Sequence, residues 1–256
     1  MVVKVTLDAH IWKNITESLA ALVKEIHFIS DDEGIHARAI DEAHIAMVDL
    51  ALSPNSFTEY HCNGSVAFGV SLVEMTQIMR RSTDDDTLEL TVDETKNKLN
   101  LKLKSEKATR NFSLSLLGED SGEDIPIPDI KFDTLISMSA STFKNILKDA
   151  EVVGDYITLQ ATPERIKVTS DGDSGEVEVI IDVSESQQSD NLREYQVKAE
   201  SQAIYALKYL SDMTKTVGAF DYLKIEYSTD MPLKLGILAP TYQLDYFLAP
   251  RIEGGE

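Results

Sequence analysis

The run Asp41-Glu42-Ala43-His44 carries the residue types that hold a magnesium ion beside a nucleoside triphosphate, as in the DEAH box of helicases. That chemistry needs a glycine-rich loop ending in Gly-Lys-Ser/Thr, whose backbone amides and lysine cradle the phosphates. The nearest candidate, Gly64 to Gly69, continues as Val70-Ser71 and has no lysine. No G-x-G-x-x-G follows a predicted strand, no G-x-S-x-G elbow presents a serine, and the single Cys62 excludes a C-x-x-C pair. All 5 histidines fall between His10 and His61, none at the i, i+4 spacing of a helical zinc pair. The acid runs Asp31-Asp32-Glu33 and Asp84-Asp85-Asp86 lack the spacing of a calcium loop and read as solvated turns. No catalytic residue, metal ligand or cofactor site is predicted. An acidic-site metal-dependent enzyme is the alternative from another functional class.

Binding is a different matter, because of where the charge lies. The chain has 256 residues, with 24 Lys+Arg against 44 Asp+Glu and a formal net charge of −20. Phosphate binding rests on Lys and Arg that release counterions, so charge of this sign, evenly spread, would argue against nucleic acid. The cations are not evenly spread. Lys13 and Lys24 fall on a predicted helix over 9–25, and Arg80 and Arg81 end a second over 73–81. Lys144 and Lys148 lie one turn apart on a third over 141–149, and Lys208 and Lys215 two turns apart on a fourth over 201–215. Each helix thus presents apolar residues to a sheet and cations to solvent, while most acid runs fall in loops. Such a surface holds a polyanion in one place and repels it elsewhere.

The elements that position these cations recur. Ile11, Ile15, Leu19 and Leu22 sit at helical spacing behind Asp8, a capping residue. Segments 27–30, 35–40 and 45–52, then 88–92, 98–104 and 110–117, alternate or are β-branched between turn clusters and read as antiparallel strands. The second half repeats the order at an offset of about 130 residues, the mark of a duplicated unit. His10-Ile11-Trp12-Lys13-Asn14-Ile15 matches Thr142-Phe143-Lys144-Asn145-Ile146, and strands follow near 156–161, 165–170, 175–183, 222–228, 233–239 and 241–248. Between the halves, Gly118 to Asp129 holds two Pro, two Gly and five acids, which cannot continue a helix or sheet. The predicted domains are 1–117 and 131–256, the latter ending in a short acidic tail, joined by a connecting loop over 118–130. One cysteine, no signal-peptide pattern and no apolar run of ~20 residues predict an intracellular protein without a membrane role.

Three stretches carry a resemblance over essentially the whole length. They are Gly34-Ile35-His36-Ala37-Arg38-Ala39-Ile40-Asp41-Glu42-Ala43-His44-Ile45-Ala46-Met47-Val48, Ala206-Leu207-Lys208-Tyr209-Leu210 leading to Thr214-Lys215, and Met231-Pro232-Leu233 through Tyr246-Phe247-Leu248-Ala249-Pro250-Arg251-Ile252-Glu253. In these the chain resembles the DNA sliding clamps of the proliferating cell nuclear antigen family, in an archaeal-like form. The resemblance implies an α+β fold of two duplicated clamp domains, with helices lining the hole of a trimeric ring and antiparallel sheets outside. It implies a DNA polymerase processivity factor, not an enzyme, that encircles double-stranded DNA. The implied lining residues are Lys13, Arg80, Arg81, Lys144, Lys148, Lys208 and Lys215, with Gln77 and Asn145 where relatives often carry a cation.

The resemblance further implies a groove that takes PIP-box peptides of DNA polymerase, flap endonuclease, DNA ligase and the clamp loader. Its residues are Ile40, His44, Ile45, Met47, Ile125, Ile127, Pro128, Pro232, Phe247, Leu248, Ala249, Pro250, Arg251 and Ile252; Phe247 stands where many relatives have Tyr. A capped turn without a partner role is the other reading of Asp41 and His44. Homotrimer closure would pair edge strands head to tail, through Arg110, Phe112, Leu114 and Leu116 on one side and Glu176, Val177, Glu178 and Ile180 on the other. A specialised subunit of a heterotrimeric ring is the nearer alternative. The implied compartment is the cytoplasm for an archaeal chain and the nucleus for a eukaryotic one.

Overall fold

The structure, a computed structural model, describes residues 3–118, 125–188, 191–218 and 221–252. Positions 119–124 of the connecting loop and the acidic tail over 253–256 lie outside the described residues. Two compact units emerge, one of Met1–Glu42, Val48–Pro126 and Ala239–Leu244, the other of Ala43–Met47, Ile127–Leu238 and Asp245–Glu256. The main division falls between Pro126 and Ile127, inside the predicted loop.

In chain order the first half forms β1 (Val3–Asp8), α1 (Ala9–Ala20), β2 (Glu25–Asp31), β3 (Gly34–Ile40), β4 (Ala46–Leu52), β5 (Glu59–Cys62), β6 (Val66–Ser71), α2 (Leu72–Met79), β7 (Thr87–Asp93), β8 (Lys98–Lys104) and β9 (Thr109–Ser115). The second forms β10 (Thr134–Ser139), α3 (Ala140–Glu151), β11 (Tyr156–Ala161), β12 (Arg165–Gly172), β13 (Gly175–Asp182), α4 (Val183–Gln188), β14 (Leu192–Val197), β15 (Ser201–Ala206), α5 (Leu207–Thr214), β16 (Tyr222–Tyr227), β17 (Leu233–Leu238) and β18 (Gln243–Leu248). The strand orders β5-β1-β7-β8-β9 and β6-β2-β3-β4 of the first half return as β14-β10-β16-β17-β18 and β15-β11-β12-β13 in the second. Strand for strand the two halves share one topology, which is what a duplicated unit predicts.

Local chemistry explains the repeated helices. The Asp8 carboxylate accepts from the His10 amide at 2.8 Å and starts α1, and the Ser139 hydroxyl accepts from the Thr142 amide at 3.2 Å and starts α3. In α1 the residues Trp12, Ile15 and Leu19 are fully buried, and the Trp12 ring lies 5.4 Å from Phe28, itself stacked 5.4 Å from Phe68. In α3 the same face buries Phe143, Ile146 and Leu147. Each helix is therefore pinned by its apolar stripe, which fixes its polar stripe outward.

Two expected helices have different limits. The first stops at Ala20 rather than at 25, so Lys24 is not on it; the ammonium instead pairs with Glu42 at 2.8 Å, which raises its pKa. The segment expected as one helix over 201–215 is strand β15 followed by α5. β1, β5, β6, β10 and β14 form where the sequence reading set no strand.

Candidate functional site

In the first unit α1 and α2 pack side by side. Lys13 is half-buried on α1, while Arg80 and Arg81 are exposed where α2 ends, and Gln77 is exposed on α2. The Arg80 Nε lies 3.6 Å from Glu17 Oε1, so this cation faces a carboxylate of the neighbouring helix.

In the second unit α3 and α5 repeat the arrangement. Lys148, Asn145 and Lys215 are exposed, and the Lys208 side chain is 88% exposed with Asp212 one turn on at 3.2 Å. Lys144 differs from them. Its Nζ donates to the backbone carbonyls of Val217 and Lys215, the latter at 3.4 Å, and so closes the C-terminal end of α5. Burial pushes its pKa down, the charge of Lys148 adds to this, and Asp221 opposes it. Lys144 is thus held by backbone carbonyls, whereas its neighbours face water.

The groove residues divide between buried and presented groups. In the first unit Ile40 is 36% exposed at the end of β3, and the half-buried Ile125 is anchored by its carbonyl, which accepts from Arg38 Nη1. The Arg38 Nε is in turn fixed by Asp49 at 2.8 Å. In the second unit His44 is exposed in the left-handed conformation at φ 56°, and Ile45 is 40% exposed with its carbonyl accepting from the Ala249 amide at 2.9 Å. That bond lays the chain's last described segment along residues 43–47. The Arg251 amide then donates to Ile204 O at 2.8 Å, and its guanidinium lies 4.2 Å over the Tyr156 ring. Ile127, Pro128, Ala249 and Ile252 are exposed, and Pro232 and Pro250 are half-buried. Met47, Phe247 and Leu248 are buried and can only support such a surface from below. Asp41 is buried and engaged within the fold.

Two features escaped the sequence reading. Met231 is an exposed apolar residue whose carbonyl accepts from Tyr205 Oη at 2.7 Å. An open cavity of about 500 Å³ next to Tyr156 is lined by Glu151, Asp155, Ala206, Tyr209 and Asp212 among others. Neither has a sequence signal, because both arise where α3, β11, β15 and α5 meet in space.

The proposed joining strands are edges of their sheets: β9 ends the order β5-β1-β7-β8-β9, and β13 ends β13-β12-β11-β15. Phe112 and Leu116 are half-buried, Leu114 is buried, Val177 is half-buried, Glu176 is exposed, and Ile180 is 48% exposed. The charges expected to meet are engaged at home. Arg110 binds the buried Asp86 and also donates to Arg81 O at 2.5 Å, and Glu178 pairs with Lys167 at 2.5 Å. Among the described residues no cluster of three or more His, Cys, Asp or Glu is arranged as around a metal ion, and no helix is long and apolar enough to cross a membrane.

A unit of antiparallel sheets bearing one pair of cation-carrying helices, present twice in one chain, defines this molecule as a DNA sliding clamp of the polymerase processivity class. Solved structures share the fold: the proliferating cell nuclear antigen of Thermococcus kodakaraensis superimposes with a TM-score of 0.91 at 25% identity, covering 97% of this chain and 100% of that one. The A. fulgidus protein, solved with the C-terminal region of FEN-1 bound, matches with a TM-score of 0.88 at 25% identity, covering 99% and 100%. The sequence matches the family models for the proliferating cell nuclear antigen N-terminal domain over residues 2–123 and C-terminal domain over 126–251. It is 36% identical to the DNA polymerase sliding clamp of Methanococcus maripaludis over 98% of this chain and 99% of that one, and 31% identical to that of Cenarchaeum symbiosum over 94% of each. The chain belongs to the proliferating cell nuclear antigen family.

Proposed function

We propose that the chain is a non-catalytic clamp whose three copies close head to tail around duplex DNA, with the helix pairs α1/α2 and α3/α5 lining the hole. The doubled basic helix pair carries this reading. In a chain of net charge −20 it gathers exposed cations on the solvent side of helices whose other side is core. Contacts from lysine and arginine to phosphate bind DNA without reading sequence and so permit sliding. Lys13, Arg80, Arg81, Lys148, Lys208 and Lys215 meet phosphate, and Lys144 supports them by closing α5. Peptides from polymerase, flap endonuclease, ligase and the clamp loader seat against Ile40, Ile45, Ile127, Met231 and Ile252. Peptide backbone pairs beside the segment 249–252, a mix of groove docking and strand addition. An archaeal cell would hold the clamp in its cytoplasm.

The test is the solution mass of the purified chain across a dilution series, followed by its retention on DNA. A species of three chains that persists on dilution and stays on circular but not on linear duplex is the expected result. A monomer at every concentration would overturn self-closure and make the chain one subunit of a mixed ring.

A further inference from the structure

The two helix pairs are not electrostatically equivalent. Counted from the helix starts Ala9 and Ala140, Lys13 matches Lys144 and Glu17 matches Lys148. Counted from Leu72 and Leu207, Arg80 matches Lys215, and each is the residue that caps its helix. At these equivalent positions the second unit therefore carries two cations, Lys148 and Lys215. The first carries a cation and an anion, and they face each other: Arg80 Nε stands 3.6 Å from Glu17 Oε1. The Glu17 side chain is only 27% exposed, held against the packed helices, whereas Arg80 is 67% exposed. The second unit's own nearby acid, Asp212, sits one turn from a Lys208 that remains 88% exposed, the arrangement of a weak surface pair on one helix.

We propose that Glu17 is a positioning residue that withholds Arg80 from DNA phosphate, so that the first unit's helix pair grips the duplex less than the second's. The inference rests on the DNA-encircling reading above. An exposed pair of this kind is weak, so phosphate competes with Glu17 for the guanidinium rather than finding it locked away. The result is an intermittent contact, which keeps the total number of neutralised phosphates low. A clamp that must move along DNA gains from that, since each added phosphate contact raises the barrier to the next step.

The experiment is fluorescence anisotropy of a labelled linear duplex, which a ring can enter from its ends, titrated with the full chain between about 0.05 and about 0.2 M NaCl. Wild type is compared with Glu17→Gln, Arg80→Ala and the double variant, each first shown to keep the wild-type solution mass. Glu17→Ala is a further variant that removes any hydrogen bond a glutamine would offer Arg80. Freeing one cation steepens the dependence of log affinity on log salt by about 0.9 and tightens binding several-fold at low salt. In the Arg80→Ala background the same Glu17 change then has no effect. An unchanged slope in Glu17→Gln and Glu17→Ala, with wild type bound to DNA, overturns the inference and leaves the clamp reading standing. Equal tightening with and without Arg80 also overturns it, because Glu17 would then act only by repelling DNA itself. Wild type that fails to bind duplex at the lowest salt overturns the clamp reading and the inference together.

Discussion

At the scale of single residues, similar cations have different work. Lys144 and Lys148 lie one turn apart on α3, yet Lys144 spends its donors on the carbonyls closing α5 while Lys148 is exposed. Lys144→Ala should cost about 1–2 kcal/mol of stability, the range for a lost charge-assisted bond, and leave the salt dependence of DNA binding nearly unchanged. Lys148→Ala should do the reverse, with little loss of stability and a salt slope shallower by about 0.9. Chemical denaturation and a salt titration on the same two variants check both. Asp86 is the second case. Burial pushes its pKa up, but the Arg110 guanidinium and the Thr83 donors outweigh this and hold it below the ordinary carboxylate value. A carboxyl lowered in the fold adds stability above its unfolded pKa of about 3.9, and that stability is lost as pH falls through the lowered value. Arg110→Ala, which leaves Asp86 buried and unpaired, should cost about 3 kcal/mol at pH 7 and much less near pH 2. Denaturation of wild type and variant at both pH values measures the difference. Neither role is legible in the sequence, where both residues are merely charged. Their partners stand far along the chain, at Val217 for Lys144 and at Asp86 for Arg110.

At the scale of elements, legibility follows the local signal. The α1 and α3 starts are readable because Asp8 and Ser139 are capping residues, and the core stripe behind each has helical period. The start of α5 is not readable: its N-cap is Ala206, with no side-chain cap bond, and β15 before it is as apolar as the helix, so strand and helix merge into one run. The C-terminal limit of α1 is hidden for a related reason. Leu22 and Val23 continue the apolar pattern but bond back to Leu19 O in a closing turn, at 3.0 and 3.1 Å. The β2–β3 hairpin shows the opposite case, an element resting on one residue type. Gly34 sits at φ 127°, and a Cβ there would lie 1.9 Å from Leu52 O, so no L side chain fits without moving β4. Gly34→Ala should destabilise the chain by about 3 kcal/mol, combining backbone strain with displaced packing. A lowered denaturation midpoint checks it, and a midpoint within error of wild type would show that the hairpin can rearrange freely.

At the scale of the whole molecule, charge acts in two opposite senses. Complementary charge between the strands β9 and β13 is the sequence-level expectation for ring closure, with Arg110 opposite Glu176 and Glu178. The structure shows Arg110 bound to Asp86 and Glu178 to Lys167 within their own units, so neither is available without giving up an existing partner. What the two edges offer instead is unpaired backbone and apolar surface such as Ile180, 48% exposed. Against this stands the repulsion between chains that each carry −20. Salt screens that repulsion, since the Debye length falls from about 10 Å at 0.1 M to about 3 Å at 1 M, while strand pairing and apolar contact are little affected. The trimer should therefore persist or tighten over that range, and Ile180→Lys should weaken it at every salt concentration. DNA binding by the same ring should weaken steeply over the same range, because each phosphate contact is lost to returning counterions. Light scattering and DNA retention measured on one salt series separate the two responses. A trimer that falls apart in step with DNA release would mean that ion pairs close the ring after all, and that Arg110 and Glu178 exchange their internal partners for one another when chains meet.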